Sequence, residues 1–128
     1  ASTMSLEGIP ILLVVLLVVT AMVFLTEINS NTATTAIFLP VLAGLAKAGG
    51  FHPYLLMIPA TIAASCAFML PSGTGPNACV LASGHLSIPQ MARTGLRLNL
   101  LVIIVLVTLL YFVILPLLDI TSSVPSWM

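Results

Sequence analysis

Residues 26–35 read TEINSNTATT and lie between two runs of almost pure hydrocarbon side chains. The run before them, residues 9–25, contains no charged residue, and neither does the run after them, residues 33–46. A hydroxyl or an amide is costly in an apolar environment unless it finds a hydrogen-bond partner. This polar stretch therefore marks the point at which the chain turns, and it points to a binding site.

The composition places the chain in a membrane. It has 128 residues, of which 60% are hydrophobic and 5% are charged, and its formal net charge is zero. Residues 9–25 and 98–118 lack charges, and each is about as long as a helix needs to cross ~30 Å of hydrocarbon. The sequence predicts an all-α membrane protein. Lys47, Arg93 and Arg97 are its only basic residues, too few to bind nucleic acid.

Residues 1–50 are predicted to form a re-entrant helical hairpin with the Ser-Asn-Thr sequence at its tip. The second arm, residues 33–46, would be only about 20 Å long, which is short for a full crossing. A hairpin that enters and leaves on the same side fits that length, and it would put residues 28–32 near the middle of the membrane.

Residues 51–92 are predicted to form a broken transmembrane helix. It starts at Phe51-His52-Pro53, runs to Leu70 and is interrupted by PSGTGPN at residues 71–77, because two prolines and two glycines cannot continue a helix. Residues 93–128 complete the chain with a last transmembrane helix, expected from about Arg93 to Leu118, and a polar tail.

Both interruptions are expected to line a site, because unwound backbone is not tolerated against lipid. Carbonyl groups at the end of the first arm could bind a small cation such as Na⁺, and N–H groups at the start of the second could attract an anion. The second interruption repeats this pattern, with carbonyls at residues 71–73 and a helix start at Pro76-Asn77. The alternative is that these residues only cap or kink the helices.

Other polar residues allow further functions. Glu27 is the only acid within the apolar region, so it could carry protons or cations, or it could be a structural carboxylate buried against the N–H groups of the hairpin tip or a neighbouring helix. Ser83-Gly84-His85 could suggest an intramembrane hydrolase, but adjacent side chains of this spacing project about 200° apart on a helix. The sequence therefore predicts no enzyme.

The two polar motifs together resemble a known family. Ser30-Asn31-Thr32 within TEINSNTATTAIFLP, followed by FMLPSGTGPNACVLASGH at residues 68–85, is similar to the divalent anion/sodium symporters, which carry dicarboxylates, citrate and sulfate. The resemblance covers about residues 20–100. It implies an inverted-repeat transporter of the elevator type that forms homodimers. This chain would be the C-terminal repeat, and the N-terminal half of the same transporter would be missing from it.

The resemblance also implies a site. The divalent anion would be held by the Ser-Asn-Thr motif and lined by residues of the second interruption, which together are Ser30, Asn31, Thr32, Thr74, Pro76 and Asn77. Sodium would sit between hairpin and broken helix and contact Thr26, Asn29, Asn31 and the backbone at Gly73. Many relatives have proline where this chain has Gly75, and this difference bears on the choice of anion.

The predicted function is secondary active symport, in which sodium entry drives uptake of a C4-dicarboxylate, citrate or sulfate by alternating access. The protein is expected to be a multi-pass protein of the bacterial inner membrane, with sodium, the anion and the lipid bilayer as its partners. An arsenite or proton-coupled carrier of similar build is an alternative, and so is a non-transporting membrane subunit.

Overall fold

The computed structural model describes residues 11–50, 52–114 and 116, and every regular element among them is helical. Five α-helices follow one another, and the last continues into a short π-helix. Their bounds are α1 Ile11–Leu25, α2 Asn31–Gly49, α3 Tyr54–Ala63, α4 Gly75–Ala82, α5 Ile88–Leu109 and the π-helix Leu110–Ile114. The all-helical class is as predicted.

The third helix, α3, is the centre of the packing. It contacts α1, α2 and α5, and α1 also contacts α5. The core that these helices share is built from small and branched side chains, which allow the helix axes to approach closely. Its most buried members are Val19, Val23, Ala46, Leu56, Ala60 and Ala63.

The helix surfaces are suited to a lipid environment. Residues 31–49 and residues 88–113 form helices long and apolar enough to cross a membrane. On α1 one stripe is buried, including Val15 and Val19, while Leu13 and Leu17 on other faces are exposed. A helix that is apolar all round but buried on one stripe is typical of a membrane segment packed against its neighbours.

The second arm is longer than predicted. Helix α2 has 19 residues, or about 28 Å at the usual rise per residue. It begins at Asn31, within the polar stretch, and it runs through Lys47 to the left-handed Gly50. Its length alone therefore does not favour a re-entrant arm over a full span, and the hairpin stays a prediction.

The broken helix is interrupted earlier than predicted. Helix α3 ends at Ala63 rather than Leu70, so residues 64–74, here called the break, are non-helical. The restart is close to the prediction, because α4 begins at Gly75 with Pro76 in its first turn. The apolar residues 67–70 look helical in sequence, but the N–H groups of residues 68–70 donate to the carboxylate of Glu27 instead of to carbonyls of the preceding turn.

The last helix also begins before its predicted start at Arg93. Helix α5 starts at Ile88, because Ser87 and Gln90 form a capping box: each side chain accepts the backbone N–H of the other residue. The predicted polar tail lies outside the described residues.

Candidate functional site

Residues 26–30, here called the tip, connect α1 to α2 in one tight turn. The N–H groups of Ile28 and Asn29 both donate to the carbonyl of Leu25, at 3.2 and 3.1 Å. The side chain of Ser30 caps α2 by accepting from the N–H of Ala33 at 3.4 Å. Because Asn29 and Ser30 are exposed, the tip presents polar groups at the surface of the described chain.

Three oxygen atoms converge where the tip meets the break. The Oγ1 of Thr26 lies 2.6 Å from the carbonyl oxygen of Ala64 and 2.5 Å from Oδ1 of Asn31. A hydroxyl has one proton, so it can donate to only one of these two acceptors. The oxygen cluster, defined by Thr26, Asn31 and Ala64, therefore has one more acceptor than its single proton satisfies. Neutral oxygens in this arrangement suit a hard cation.

A cleft opens beside the oxygen cluster, at the start of α2. Its volume is about 340 Å³. Most of its lining residues carry a hydroxyl and one carries an amide, although most of the lining surface is apolar, and none of the described residues that line it is charged. The lining residues are Asn31, Thr32, Thr35, Ala36, Thr61 and Ser65. Since Asn31 and Thr32 begin α2, the unsatisfied N–H groups of its first turn lie at this cleft.

The residues predicted from the second interruption are not brought into this cleft. Thr74 precedes α4 in an extended conformation, and Pro76 is exposed in the first turn of α4. The amide nitrogen of Asn77 donates to the carbonyls of Ala67 and Leu70, at 2.8 and 3.0 Å. The side chain of Asn77 therefore satisfies the backbone of the break in this conformation.

Sodium was predicted to touch four residues, and the structure groups two of them, Thr26 and Asn31, in the oxygen cluster. Asn29 is exposed on the tip. Gly73 is buried beside Glu27 instead: a Cβ atom added there would lie 2.9 Å from Oε2 of that carboxylate. Gly73 thus leaves room for Glu27 to enter the break.

Glu27 has the most hydrogen bonds of the polar side chains at the site. Its side chain is 3% exposed, and its carboxylate accepts from the N–H groups of Phe68, Met69 and Leu70 at 2.9 to 3.2 Å. Its own backbone carbonyl accepts from the hydroxyl of Ser72 at 3.3 Å. Three successive N–H groups around one anion form a nest, a recurrent anion-binding feature of proteins.

The last helix completes the surroundings of Glu27. The amide nitrogen of Asn99 donates to Oε1 of Glu27 at 2.8 Å, and Asn99 is fully buried. One turn earlier, Gly95 lies directly on the break, because a Cβ atom there would come within 2.2 Å of the carbonyl oxygen of Phe68. Helix α5 therefore belongs to the same packed unit as the tip and the break.

Several residues of this site were not predicted from sequence. The Ala64 carbonyl is a backbone group, so the residue type at this position gives no indication that it belongs to the site. Gly95 and Asn99 did have one: they are four residues apart, so they share a helix face, and an amide within an apolar segment such as residues 98–118 indicates a buried polar contact. Thr61 and Ser65 have the same spacing and line the cleft together.

Comparison with known proteins agrees with these motifs. A family model described as the sodium:sulfate symporter transmembrane region matches residues 1–118. The chain is 50% identical over 121 residues to the sodium-dependent dicarboxylate transporter SdcS of Staphylococcus saprophyticus. This aligned region covers 93% of this chain and 23% of that protein. It is 47% identical over 109 residues to the protein of the same name from Staphylococcus aureus USA300, which covers 85% of this chain and 21% of the relative. The chain thus spans about a quarter of the length of these curated relatives.

Proposed function

This chain belongs to the sodium:sulfate symporter family, and we propose that it supplies half of the binding site of a sodium-coupled symporter for a divalent anion. The two relatives compared above are named as sodium-dependent dicarboxylate transporters. A C4-dicarboxylate is therefore the first choice of substrate, ahead of citrate and sulfate. The family consists of transporters, so the function is transport and not catalysis.

The position of Asn31 is the observation that carries this proposal. Its side chain belongs to the oxygen cluster through Thr26, and it also lines the cleft at the start of α2. The cluster is closed by hydrogen bonds, so a sodium ion that enters it would separate Asn31 from Thr26. That displacement would orient the Asn31 amide in the cleft, where an anion would bind to N–H groups and to hydroxyls that do not already donate within the chain, as those of Thr35 and Thr61 do. Sodium and anion binding would thereby be coupled through one side chain.

The remaining parts of the mechanism are proposed from the family resemblance. A matching motif in a first, N-terminal repeat would complete the anion site, and alternating access by an elevator-like movement would carry both ligands across the membrane. Residues 1–50 would be the re-entrant hairpin, 51–92 the broken helix and 93–128 the last span and tail. Homodimers in the bacterial inner membrane are the proposed assembly.

A second candidate is a proton-coupled or arsenite carrier in which Glu27 binds and releases protons. The hydrogen bonds of Glu27 favour the sodium reading instead. Both carboxylate oxygens accept from N–H donors of residues 68–70 and the side chain is buried, so Glu27 is engaged within the chain rather than open to the cleft. A third hypothesis is a non-transporting membrane subunit. It predicts that changes at Asn31 alter assembly and leave ion and anion affinity unchanged.

The proposal is tested by uptake of labelled succinate and labelled sulfate into liposomes that contain the full-length transporter. Uptake is measured with an inward sodium gradient, with an equal potassium gradient, with an inward proton gradient in the absence of sodium, and with no gradient. We expect sodium-dependent succinate uptake that is lost in Asn31→Ala. The matched control is Thr108→Ala, because Thr108 is exposed on α5 and donates only to Ile104 of its own helix.

Transport results are interpreted for variants whose unfolding temperature equals that of the wild type, since these variants are correctly folded. Sodium-dependent uptake of sulfate but not succinate would keep the coupling and change the substrate. Uptake driven by a proton gradient without sodium would favour the second candidate. Absence of transport for both anions, together with altered assembly of Asn31→Ala, would favour the non-transporting subunit.

A further inference from the structure

The break between α3 and α4 separates the two groups of one helical hydrogen bond. If α3 continued past Ala63, the N–H of Phe68 would donate to the carbonyl of Ala64, four residues earlier. Instead the Phe68 N–H donates to Oε1 of Glu27 at 2.9 Å, and the Ala64 carbonyl accepts from Thr26 at 2.6 Å. Two adjacent tip residues thus take the donor and the acceptor of the same missing bond.

The carboxylate also holds the next turn open. In a continuous helix the N–H groups of Met69 and Leu70 would donate to the carbonyls of residues 65 and 66. In the structure both donate to Glu27 instead, at 3.1 to 3.2 Å. The donors that could extend α3 are therefore occupied by a carboxylate more than 40 positions earlier in the chain.

Resting on the proposed function, we infer that Glu27 is a positioning residue for sodium. By holding the N–H of Phe68, it keeps the carbonyl of Ala64 free to serve the oxygen cluster with Thr26 and Asn31. Without that acceptor, α3 can add a turn and the Ala64 carbonyl returns to a helical bond. Sodium then loses a ligand although every side chain of the cluster is still present.

Helix α5 supports this arrangement from the other side. Asn99 donates to the same oxygen, Oε1, that accepts from Phe68, and Gly95 lets the helix rest on the backbone of Phe68 and Met69. The Oδ1 atom of Asn99 has no hydrogen-bond partner within the part of the chain that the structure describes. The hydrogen bond of the Asn99 amide nitrogen to Glu27 is therefore the contact that offsets the cost of burying this side chain.

This role is distinct from that of an ordinary structural residue. Replacing a residue that only stabilises the fold lowers the unfolding temperature equally in sodium and in potassium. Replacing a residue that positions a sodium ligand also raises the sodium concentration needed for binding, because part of the binding energy is then used to reopen the break. Sodium dependence, rather than stability alone, therefore separates the two roles.

The experiment measures the unfolding temperature of the purified full-length transporter in detergent as sodium replaces potassium at constant ionic strength. Binding to the folded state raises that temperature in proportion to the logarithm of ligand concentration above its dissociation constant. The variants are Glu27→Gln, which puts an NH₂ donor against backbone N–H groups, and Asn99→Leu, which removes one donor and leaves the carboxylate. Thr108→Val, an exposed position on α5, is the control.

We expect the sodium midpoint to rise about tenfold in Glu27→Gln and about threefold in Asn99→Leu, and to stay unchanged in Thr108→Val. A lower unfolding temperature in potassium with a wild-type sodium midpoint would overturn the inference. If Glu27→Gln does not fold, Asn99→Leu decides by the same criterion. A wild type that shows no sodium-specific stabilisation would instead contradict the proposed sodium coupling, so the two failures are distinguishable.

Discussion

The tip, residues 26–30, and the break, residues 64–74, are both polar interruptions of an apolar chain, yet they use their polar groups differently. The tip leaves Asn29 and Ser30 exposed, and it leads directly to the cleft at the start of α2. In the break, the N–H groups of residues 68–70 donate to Glu27 and the carbonyls of Ala67 and Leu70 accept from Asn77, while the Ala64 carbonyl serves the oxygen cluster. Apart from the Ala64 carbonyl, the polar groups of the break are therefore used within the chain, whereas the exposed residues of the tip lie next to the cleft.

This difference shows how a binding site can be recognised among interrupted helices. Counting Ser, Thr, Asn, Gly and Pro does not separate the two regions, since both are rich in them. Following each donor and acceptor to its partner does, because a donor already used within the chain is not available for an anion, whereas a surplus acceptor, as in the oxygen cluster, remains available for a cation. Changes to the groups of the break that bond within the chain should therefore reduce stability, and changes to Asn31, which lines the cleft, should reduce transport.

The largest effect on stability is expected where α5 rests on the break. Gly95→Ala would put a methyl group within 2.2 Å of the Phe68 carbonyl, and we expect it to destabilise the protein by about 3 kcal/mol. The matched control is Gly44→Ala in α2, where no atom lies within 4 Å of the added methyl. That change should stabilise by about 0.5 kcal/mol, because alanine favours a helix. Thermal unfolding of the full-length protein measures both, and equal effects at the two positions would contradict the close approach of α5.

A smaller effect is expected from the amide that closes the break. Asn77→Ala removes the donors to the Ala67 and Leu70 carbonyls and should destabilise by about 2 kcal/mol. Asn29→Ala at the exposed tip should cost within about 0.5 kcal/mol. Denaturant unfolding compares the two variants. If Asn77→Ala keeps wild-type stability but loses succinate affinity, Asn77 binds the anion, as the family resemblance implies, and does not serve the break.

The smallest effect is expected at the start of α4. Gly75→Pro introduces the residue that the family resemblance implies at this position, and an added Cβ atom meets nothing within 4 Å among the described residues. Gly75 is the first residue of α4, where proline is well tolerated because its missing N–H has no helical partner. We expect stability to change by less than about 1 kcal/mol and the ratio of succinate to sulfate uptake to stay the same. A changed ratio would show that the Gly75 N–H contributes to anion selection.

Sequence alone predicted the elements that depend on local chemistry. The polar residues around 28–32 predicted a turn, which the structure has at residues 26–30, and the helix-breaking residues predicted the helix start near Pro76; α2 begins at Asn31, two residues before the predicted arm. The end of α3 was predicted at Leu70 instead of Ala63 because residues 67–70 are apolar and contain no helix breaker. What ends the helix there is a carboxylate from another segment, and no local pattern records such a contact.

The site was predicted in part for the same reason. Thr26 and Asn31 were identified as cation ligands, and the structure brings their oxygens together. The third oxygen comes from the backbone of Ala64, and a backbone carbonyl leaves no mark on the sequence. Glu27 was considered either a proton carrier or a structural carboxylate, and its hydrogen bonds match the structural description.

The bond between Asn99 and Glu27 joins residues 72 positions apart, and this separation sets an order of assembly. Contacts between distant segments form late, because the entropy of closing the intervening loop opposes them. As the chain leaves the ribosome, Glu27 emerges first, the N–H groups of residues 68–70 follow, and Asn99 comes last. The sodium ligands would therefore reach their final geometry only after the last helix has been inserted, so a chain released early would carry every ligand and still lack the assembled site.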